Sequence, residues 1–156
     1  MTFSMTKPSQ PADLADHPVV ITWPVQWGDQ DAFGHVNNVV YFRWMESARI
    51  AYFRQAGVES AAAQQGMGPI LASVKCDFRR QLTYPDTLLI SASITSFGRT
   101  SMKMVHRIYS TIQQAVAAEG DSTIVMFDYT GQRPVAVSDE IRARIDALEG
   151  RTASNS

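Results

Sequence analysis

The segment from Val39 to Gly57 constrains the fold more than any other part of the sequence. Its apolar residues recur with helical spacing and cover most of the circumference of a helix of about five turns. A helix with so little polar surface must be buried on more than one side. Asn37 or Asn38 can cap its first amide groups, and Gly57 can end it. The rest of the chain therefore has to supply a structure that surrounds this helix.

The chain beyond Gly66 changes to a period of two, which is typical of strands with one buried face. A strand is also predicted ahead of the helix, from Val19 to Gln26. Alternating apolar residues predict four more strands, around residues 72–78, 88–95, 102–108 and 122–130. Because the connections between them are short, we expect neighbouring strands to pair antiparallel. A sheet that curls around the long helix would bury it, so this order of elements predicts an α+β fold.

A chain of 156 residues suits a single domain. Residues 1–16 are rich in Ser, Thr, Pro and Ala and show no periodicity, which predicts a flexible tail. Residues 17–150 are expected to form the one domain, which ends in a helix between Ser138 and Gly150 with Ser138 as its cap.

Composition argues against several classes of protein. Hydrophobic residues make up 45% of the chain, which is enough for a core. The net charge of −1 argues against a nucleic-acid-binding protein, and no apolar run is long enough to cross a bilayer. The N-terminus lacks the apolar core of a secretory signal, so we expect a cytoplasmic protein with no membrane partner.

Cysteine and histidine usage argues against a metal site. The single Cys76 permits neither an internal disulfide nor a cysteine-based site, and we expect it to pack in the core. His17, His35 and His106 do not stand at metal-ligand spacing from one another. His106 is in phase with the apolar residues of its strand, which favours a position in the core or at an interface.

A polar cluster, W-G-D-Q-D-A-F-G-H-V-N-N, directly precedes the long helix. Asp29 and Asp31 are either caps and turn formers, or one of them is a nucleophile or general base. His35 is a candidate base, hydrogen-bond donor or turn residue. Asn37 and Asn38 are typical cap residues, yet their backbone amides are free donors, and such donors can form an oxyanion hole. The cluster is therefore a helix cap, a reaction centre or both.

Four basic residues, Arg79, Arg80, Arg99 and Lys103, are scattered over the later strands and one turn. Single charges of this kind are usually solvated, whereas together they are able to hold phosphates. The sequence contains no Gly-rich phosphate loop and no G-x-S-x-G element.

A longer stretch, W-G-D-Q-D-A-F-G-H-V-N-N-V-V-Y-F-R-W-M-E-S-A-R, resembles the signature of hotdog-fold acyl-CoA thioesterases of the 4-hydroxybenzoyl-CoA thioesterase-like family. Three later segments resemble the same family in the same order, CDFRRQLTYPDTLLI, SFGRTSMKMVHRIY and IVMFDYTGQRPVAVSDEIR, so that the resemblance covers about residues 18–148. It implies a five-stranded antiparallel sheet wrapped around a long central helix. It also implies a homodimer or homotetramer in which sheets join edge to edge and active sites lie at the dimer interface.

The resemblance also implies roles for residues of the cluster. Asp31 matches the family's catalytic acid, which attacks the thioester or activates a water. The backbone amide of Asn38, at the start of the helix, is expected to polarise the thioester carbonyl. His35 is assigned to orientation or substrate contact. Plant acyl-carrier-protein thioesterases are similar through H-V-N-N, but they carry an asparagine where this chain has Phe33.

Substrate contacts implied by the resemblance are spread along the chain. Asn37 is included with the candidate contacts at the helix start, and Tyr41 and Phe78 are candidate walls of the acyl pocket. The turn at residues 98–101 is a candidate contact for the coenzyme A (CoA) arm, with Ser101 in the turn and Arg99 and Lys103 as phosphate partners.

These observations together predict an acyl-CoA thioesterase, which converts an acyl-CoA and water into a carboxylic acid and free CoA. No metal or redox cofactor is expected, because CoA is part of the substrate. A hydratase or dehydratase of acyl thioesters, with His35 as its base, is an alternative on the same fold. A non-catalytic acyl-CoA-binding protein is a second alternative. Apolar walls serve aromatic and aliphatic chains alike, so the sequence leaves the acyl group open.

Overall fold

The computed structural model describes residues 10–152. Two single turns of 3-10 helix, at Ala12–Leu14 and Trp27–Asp29, precede the long helix. The helices are α1 (Asn38–Ala56), α2 (Val58–Ala63) and α3 (Asp139–Glu149). The strands are β1 (Val19–Pro24), β2 (Met67–Phe78), β3 (Thr87–Phe97), β4 (Ser101–Ser110), β5 (Ala115–Asp128) and the two-residue β6 (Arg133–Pro134). No helix within this range is both long and apolar enough to cross a membrane.

The five long strands form one antiparallel sheet in the order β1-β3-β4-β5-β2, and β6 pairs with β5 beside this path. The sheet curls around α1, so the predicted α+β arrangement is confirmed. Neither α2 nor β6 was predicted, since both are too short to show a period. The two long edges of the sheet belong to β1 and β2.

Helix α1 begins and ends as its sequence predicts. The Asn37 side chain accepts a hydrogen bond from the Val39 N–H (3.1 Å), and Gly57 ends the helix at φ 73°, a conformation that favours glycine. The helix buries residues on several sides, which are Tyr41, Trp44, Met45, Ala48, Tyr52, Phe53 and Ala56. The sheet therefore supplies the enclosure that the apolar circumference requires.

Removal of the α1 cap gives a first testable prediction. Asn37→Ala should lower the free energy of unfolding by about 1 kcal/mol, because the Val39 amide loses its acceptor. Urea denaturation measures this difference. Asn37→Asp, which keeps an acceptor oxygen and adds a charge that the helix dipole favours, is the matched control and should retain the stability. Equal losses in the two variants would contradict the capping role.

The predicted flexible tail of residues 1–16 requires a correction. Residues 1–9 lie outside the described range, but the segment that follows is packed against the sheet. The Leu14 side chain is fully buried, and the Arg107 guanidinium donates to the Asp13 carbonyl (2.6 Å) and to the Asp16 carboxylate (2.8 Å). Just beyond it, His17 Nδ1 lies 2.7 Å from Ser91 Oγ. A single turn held by one leucine is too short to produce a period, which explains why the sequence pattern missed it.

Strand β5 also starts earlier than predicted, at Ala115 rather than near Ser122. Its first half lacks large side chains, so it shows no alternation. Ala117 and Ala118 are both buried, and a Cβ at Gly120 would lie 2.1 Å from Met45 Sδ. Small residues here let α1 approach the sheet closely.

Candidate active site

The two aspartates in the loop between β1 and α1 have different hydrogen-bond partners. Asp29 Oδ2 accepts a hydrogen bond from the Gln26 N–H (2.7 Å), and the Asp29 carbonyl accepts one from the Asn37 N–H (2.9 Å). Asp29 therefore holds the 3-10 turn and ties it to the start of α1. Of the alternatives that the sequence left open, the structure supports a capping role for Asp29.

The Asp31 carboxylate is held by only one of its oxygens. Oδ1 accepts hydrogen bonds from the Phe33 N–H (2.8 Å) and the His35 N–H (3.4 Å). The Asp31 N–H donates to the His35 carbonyl (2.8 Å), and Gly34 closes this turn at φ 79°, where a side chain would be strained. Oδ2 has no hydrogen-bond partner among residues 10–152, so it is available to a substrate or a water.

The first amide of α1 is the second group that stands ready for a ligand. The Asn37 side chain satisfies the Val39 N–H, and the Val40 N–H donates to the Asn37 carbonyl (3.0 Å). The Asn38 N–H finds no acceptor in the described part of the chain. It therefore offers a donor at the positive end of the helix dipole.

Asp31 and Asn38 line the same cavity, which has a volume of about 670 Å³. Its other lining residues are Phe33, His35, Val36, Tyr41, Phe78, Arg79, Arg80 and Gln81. The loop before α1 and the start of that helix supply one wall, and the end of β2 with the residues after it supplies the other. The Val36 N–H donates to the Leu82 carbonyl (2.8 Å) and joins the two walls. Asp31 is exposed in the single chain, so it stands at the mouth of this cavity.

Two aromatic side chains, the buried Tyr41 and the partly exposed Phe78, contribute to the cavity wall. The Tyr41 ring meets the Phe78 ring edge to face, with centroids 4.9 Å apart. Burial raises the pKa of Tyr41 to about 12, so its phenol stays neutral at ordinary pH. The wall therefore offers apolar surface and no second ion at this place.

The structure brings together five of the predicted site residues: Asp31, His35, Asn38, Tyr41 and Phe78. Their chemical roles stay predictions. Asn37 is placed differently, because its side chain caps α1 and does not line the cavity. Arg79, Arg80 and Gln81 line the cavity and were not among the predicted site residues. The sequence indicated Arg79 and Arg80 only as two of four scattered basic residues that could hold phosphates, and it gave no signal for Gln81.

The predicted CoA contacts Arg99, Ser101 and Lys103 lie elsewhere in the chain. Phe78 pairs with Ala118, which pairs with Ile108, and Ser101 lies seven residues farther along β4. At about 3.3 Å per residue, this separation is about 23 Å. The Lys103 amine lies 3.6 Å from the Asp121 carboxylate. Within one chain, these residues belong to the opposite end of the sheet from the cavity.

Comparison with known proteins decides the family. The model of the thioesterase-like superfamily matches residues 25–145. The chain belongs to this superfamily. A solved thioesterase from Thermus thermophilus, complexed with coenzyme A and Zn, is 32% identical with a TM-score of 0.75, and the match covers 88% of this chain and 99% of that one. The predicted family and hotdog fold are confirmed.

Two curated relatives of this thioesterase-superfamily member extend over most of its length. The YsmA protein of Bacillus subtilis is 28% identical over 116 residues, which are 74% of this chain and 77% of YsmA. The long-chain acyl-CoA thioesterase FadM of Escherichia coli is 24% identical over 123 residues, which are 76% of this chain and 89% of FadM.

Proposed function

We propose that this thioesterase hydrolyses an acyl-CoA to a carboxylic acid and free CoA, with Asp31 and the Asn38 backbone amide as its reacting groups. One observation carries the proposal: a carboxylate with a free oxygen and a helix-terminal N–H without an acceptor in residues 10–152 line one cavity. The relatives whose names specify CoA or acyl-CoA support the choice of a CoA thioester.

The geometry supports a two-part mechanism. The thioester oxygen accepts a hydrogen bond from the Asn38 N–H, and the dipole of α1 stabilises the negative charge that develops there. Asp31 Oδ2 then either attacks the carbonyl carbon or takes a proton from an attacking water. The first route expels the CoA thiolate and leaves a mixed anhydride that water hydrolyses. In the second route the water adds to the carbonyl carbon as Asp31 takes its proton, and the tetrahedral intermediate then expels the CoA thiolate, which recovers a proton, to leave the carboxylic acid.

His35 is proposed to orient the substrate. It is half-buried, it lines the cavity, and its ring has no hydrogen-bond partner among the described residues. Its backbone holds Asp31 through both its N–H and its carbonyl. The ring is therefore free to contact the thioester or the CoA arm without disturbing the carboxylate.

The active site is proposed to be completed by a second copy of the chain. Phe33 is 87% exposed and Phe78, on the edge strand β2, is 43% exposed, although both line the cavity. Apolar side chains of this size at an open sheet edge favour a covering partner. A homodimer or homotetramer in which β2 pairs with its own copy would provide it.

This arrangement would also bring the predicted CoA contacts of one copy near the cavity of the other. If β2 pairs antiparallel with its copy, the Phe78 end of one strand lies beside the Met67 end of the other. Ser101 belongs to that Met67 end, because it pairs with Val125 and Val125 pairs with Ile70. The turn that carries Arg99 in one copy would then face the cavity of the other copy, where a long CoA arm could reach it.

A thiol-release assay over short-chain, long-chain and aromatic CoA esters tests the function. Free thiol should appear in step with the carboxylic acid for at least one ester, and an enoyl-CoA should not be hydrated. Hydration without thiol release would indicate the hydratase alternative and contradict hydrolysis. Tight binding of the esters without turnover would indicate a binding protein instead.

A further inference from the structure

The cavity is lined by two charged residues that the proposed hydrolysis does not use, Arg79 and Arg80. The Arg79 guanidinium lies 2.9 Å from the Glu119 carboxylate, so its charge is already paired. Arg80 also lines the cavity; it is exposed in the single chain, and its guanidinium forms neither a hydrogen bond nor an ion pair with any residue between 10 and 152. Its backbone, in contrast, is fixed, because the Arg80 N–H donates to the Ala117 carbonyl (3.0 Å). Arg80 therefore has a backbone that is held in place and a positive charge that no described residue pairs with.

The size of the cavity limits which anion can reach Arg80. Arg80 and Asp31 line the same open cavity, whose volume of about 670 Å³ equals that of a sphere about 11 Å across. In a CoA ester, the whole pantetheine arm separates the thioester from the nearest phosphate, and the extended arm is longer than this cavity is wide. With the thioester at Asp31, the phosphates of an extended arm would therefore lie beyond the cavity, which leaves Arg80 to the acyl side.

The charges in the cavity favour one class of acyl group. The Asp31 carboxylate repels an acyl group that itself carries a carboxylate, and the positive charge of Arg80 offsets that repulsion. An arginine fork matches a carboxylate with two parallel hydrogen bonds. Tyr41 and Phe78 line the same cavity and offer apolar surface to the carbon chain between the thioester and that carboxylate.

We propose that Arg80 selects acyl groups that end in a carboxylate, so that the preferred substrates are mono-CoA esters of dicarboxylic acids. This inference rests on the proposed thioesterase function. It names Arg80 as a specificity residue rather than a catalytic one, because the bond that breaks lies at Asp31 and Asn38.

Matched substrates test this selectivity with the full-length protein. kcat/KM is measured for glutaryl-CoA and adipyl-CoA against pentanoyl-CoA and hexanoyl-CoA, which have the same chain lengths without the carboxylate. The wild type should prefer the carboxylate-bearing esters. Arg80→Gln should lower kcat/KM for those esters about ten- to a hundredfold, mainly through KM, and leave the uncharged esters within about twofold. Arg80→Lys should restore part of the loss because the charge returns without the fork.

Arg79→Gln is the matched control, since it removes the neighbouring guanidinium that Glu119 already pairs. It should keep the wild-type ratio between charged and uncharged esters. Circular dichroism and thermal unfolding show that each variant is folded before its kinetics are compared.

Three outcomes would overturn the proposal. The first is an unchanged ratio of charged to uncharged esters in Arg80→Gln. The second is an equal loss on all CoA esters with none on the corresponding acyl-pantetheines, which would assign Arg80 to a CoA phosphate. The third is a wild type that hydrolyses no thioester, and that result alone would also remove the proposed function. Hydrolysis of uncharged esters without any effect of Arg80 would leave the proposed function intact.

Discussion

Asp31→Asn is expected to reduce thioester hydrolysis about a hundredfold or more. An amide neither attacks a carbonyl carbon readily nor takes a proton from water, so both proposed routes are blocked. The substituted side chain keeps an oxygen that can accept from the Phe33 and His35 amides, so the loop should retain its shape. Thiol-release kinetics measure the loss in kcat/KM, and urea denaturation measures the stability.

Asp29→Asn provides the matched control for this experiment. Asp29 lies two residues earlier in the same loop, but its carboxylate accepts from the Gln26 N–H and does not line the cavity. Its replacement should change hydrolysis by no more than a few-fold. Near-normal turnover in Asp31→Asn, or an equal loss in both variants, would show that the Asp31 carboxylate is not the reacting group.

Acidification from pH 6.5 to pH 4 is expected to cost about 3 kcal/mol of unfolding free energy through His106 alone. The His106 side chain is 1% exposed, and its Nδ1 lies 2.9 Å from the Ser91 carbonyl oxygen. Nδ1 must carry the proton in this contact, since a carbonyl only accepts. Nε2 has no partner among the described residues, so protonation there would place an unpaired charge in the core.

Burial lowers the pKa of His106 to about 4, and the nearby charges of Arg49 and His17 act in the same direction. The hydrogen bond to Ser91 and the charge of Asp121 oppose the shift. Unfolded histidine titrates near pH 6.5, so between pH 6.5 and 4 the unfolded chain binds more protons than the folded one. Stability is therefore full above pH 6.5 and falls as the pH is lowered toward 4.

Urea denaturation of the wild type and of His106→Leu across this pH range measures the effect. The variant should lose less stability on acidification, because it has no group to protonate at that site. His17, whose pKa is lowered mainly by burial, remains in both proteins, so most of its own contribution cancels in the comparison. Identical pH dependence in the two proteins would contradict the role assigned to His106.

The sequence pattern correctly predicted those features that depend on hydrogen bonds between residues close together in the chain. The caps at Asn37 and Ser138 and the end of α1 at Gly57 each depend on contacts within a few residues, and all three are present. The packed turn at Leu14 was missed because one buried side chain over a distant strand leaves no periodic signal.

The sequence by itself determined that Asp31 and Asn38 lie close along the chain, at the start of the same helix. Both belong to one loop and helix start, where hydrogen bonds between residues only a few positions apart set their geometry. Only the tertiary structure decided what faces them. Phe78 and Arg80 reach the cavity because β2 ends beside a loop about forty residues earlier in the chain, and no local pattern encodes that contact. The same packing placed Ser101 at the far end of β4, since a strand separates its two ends by its full length.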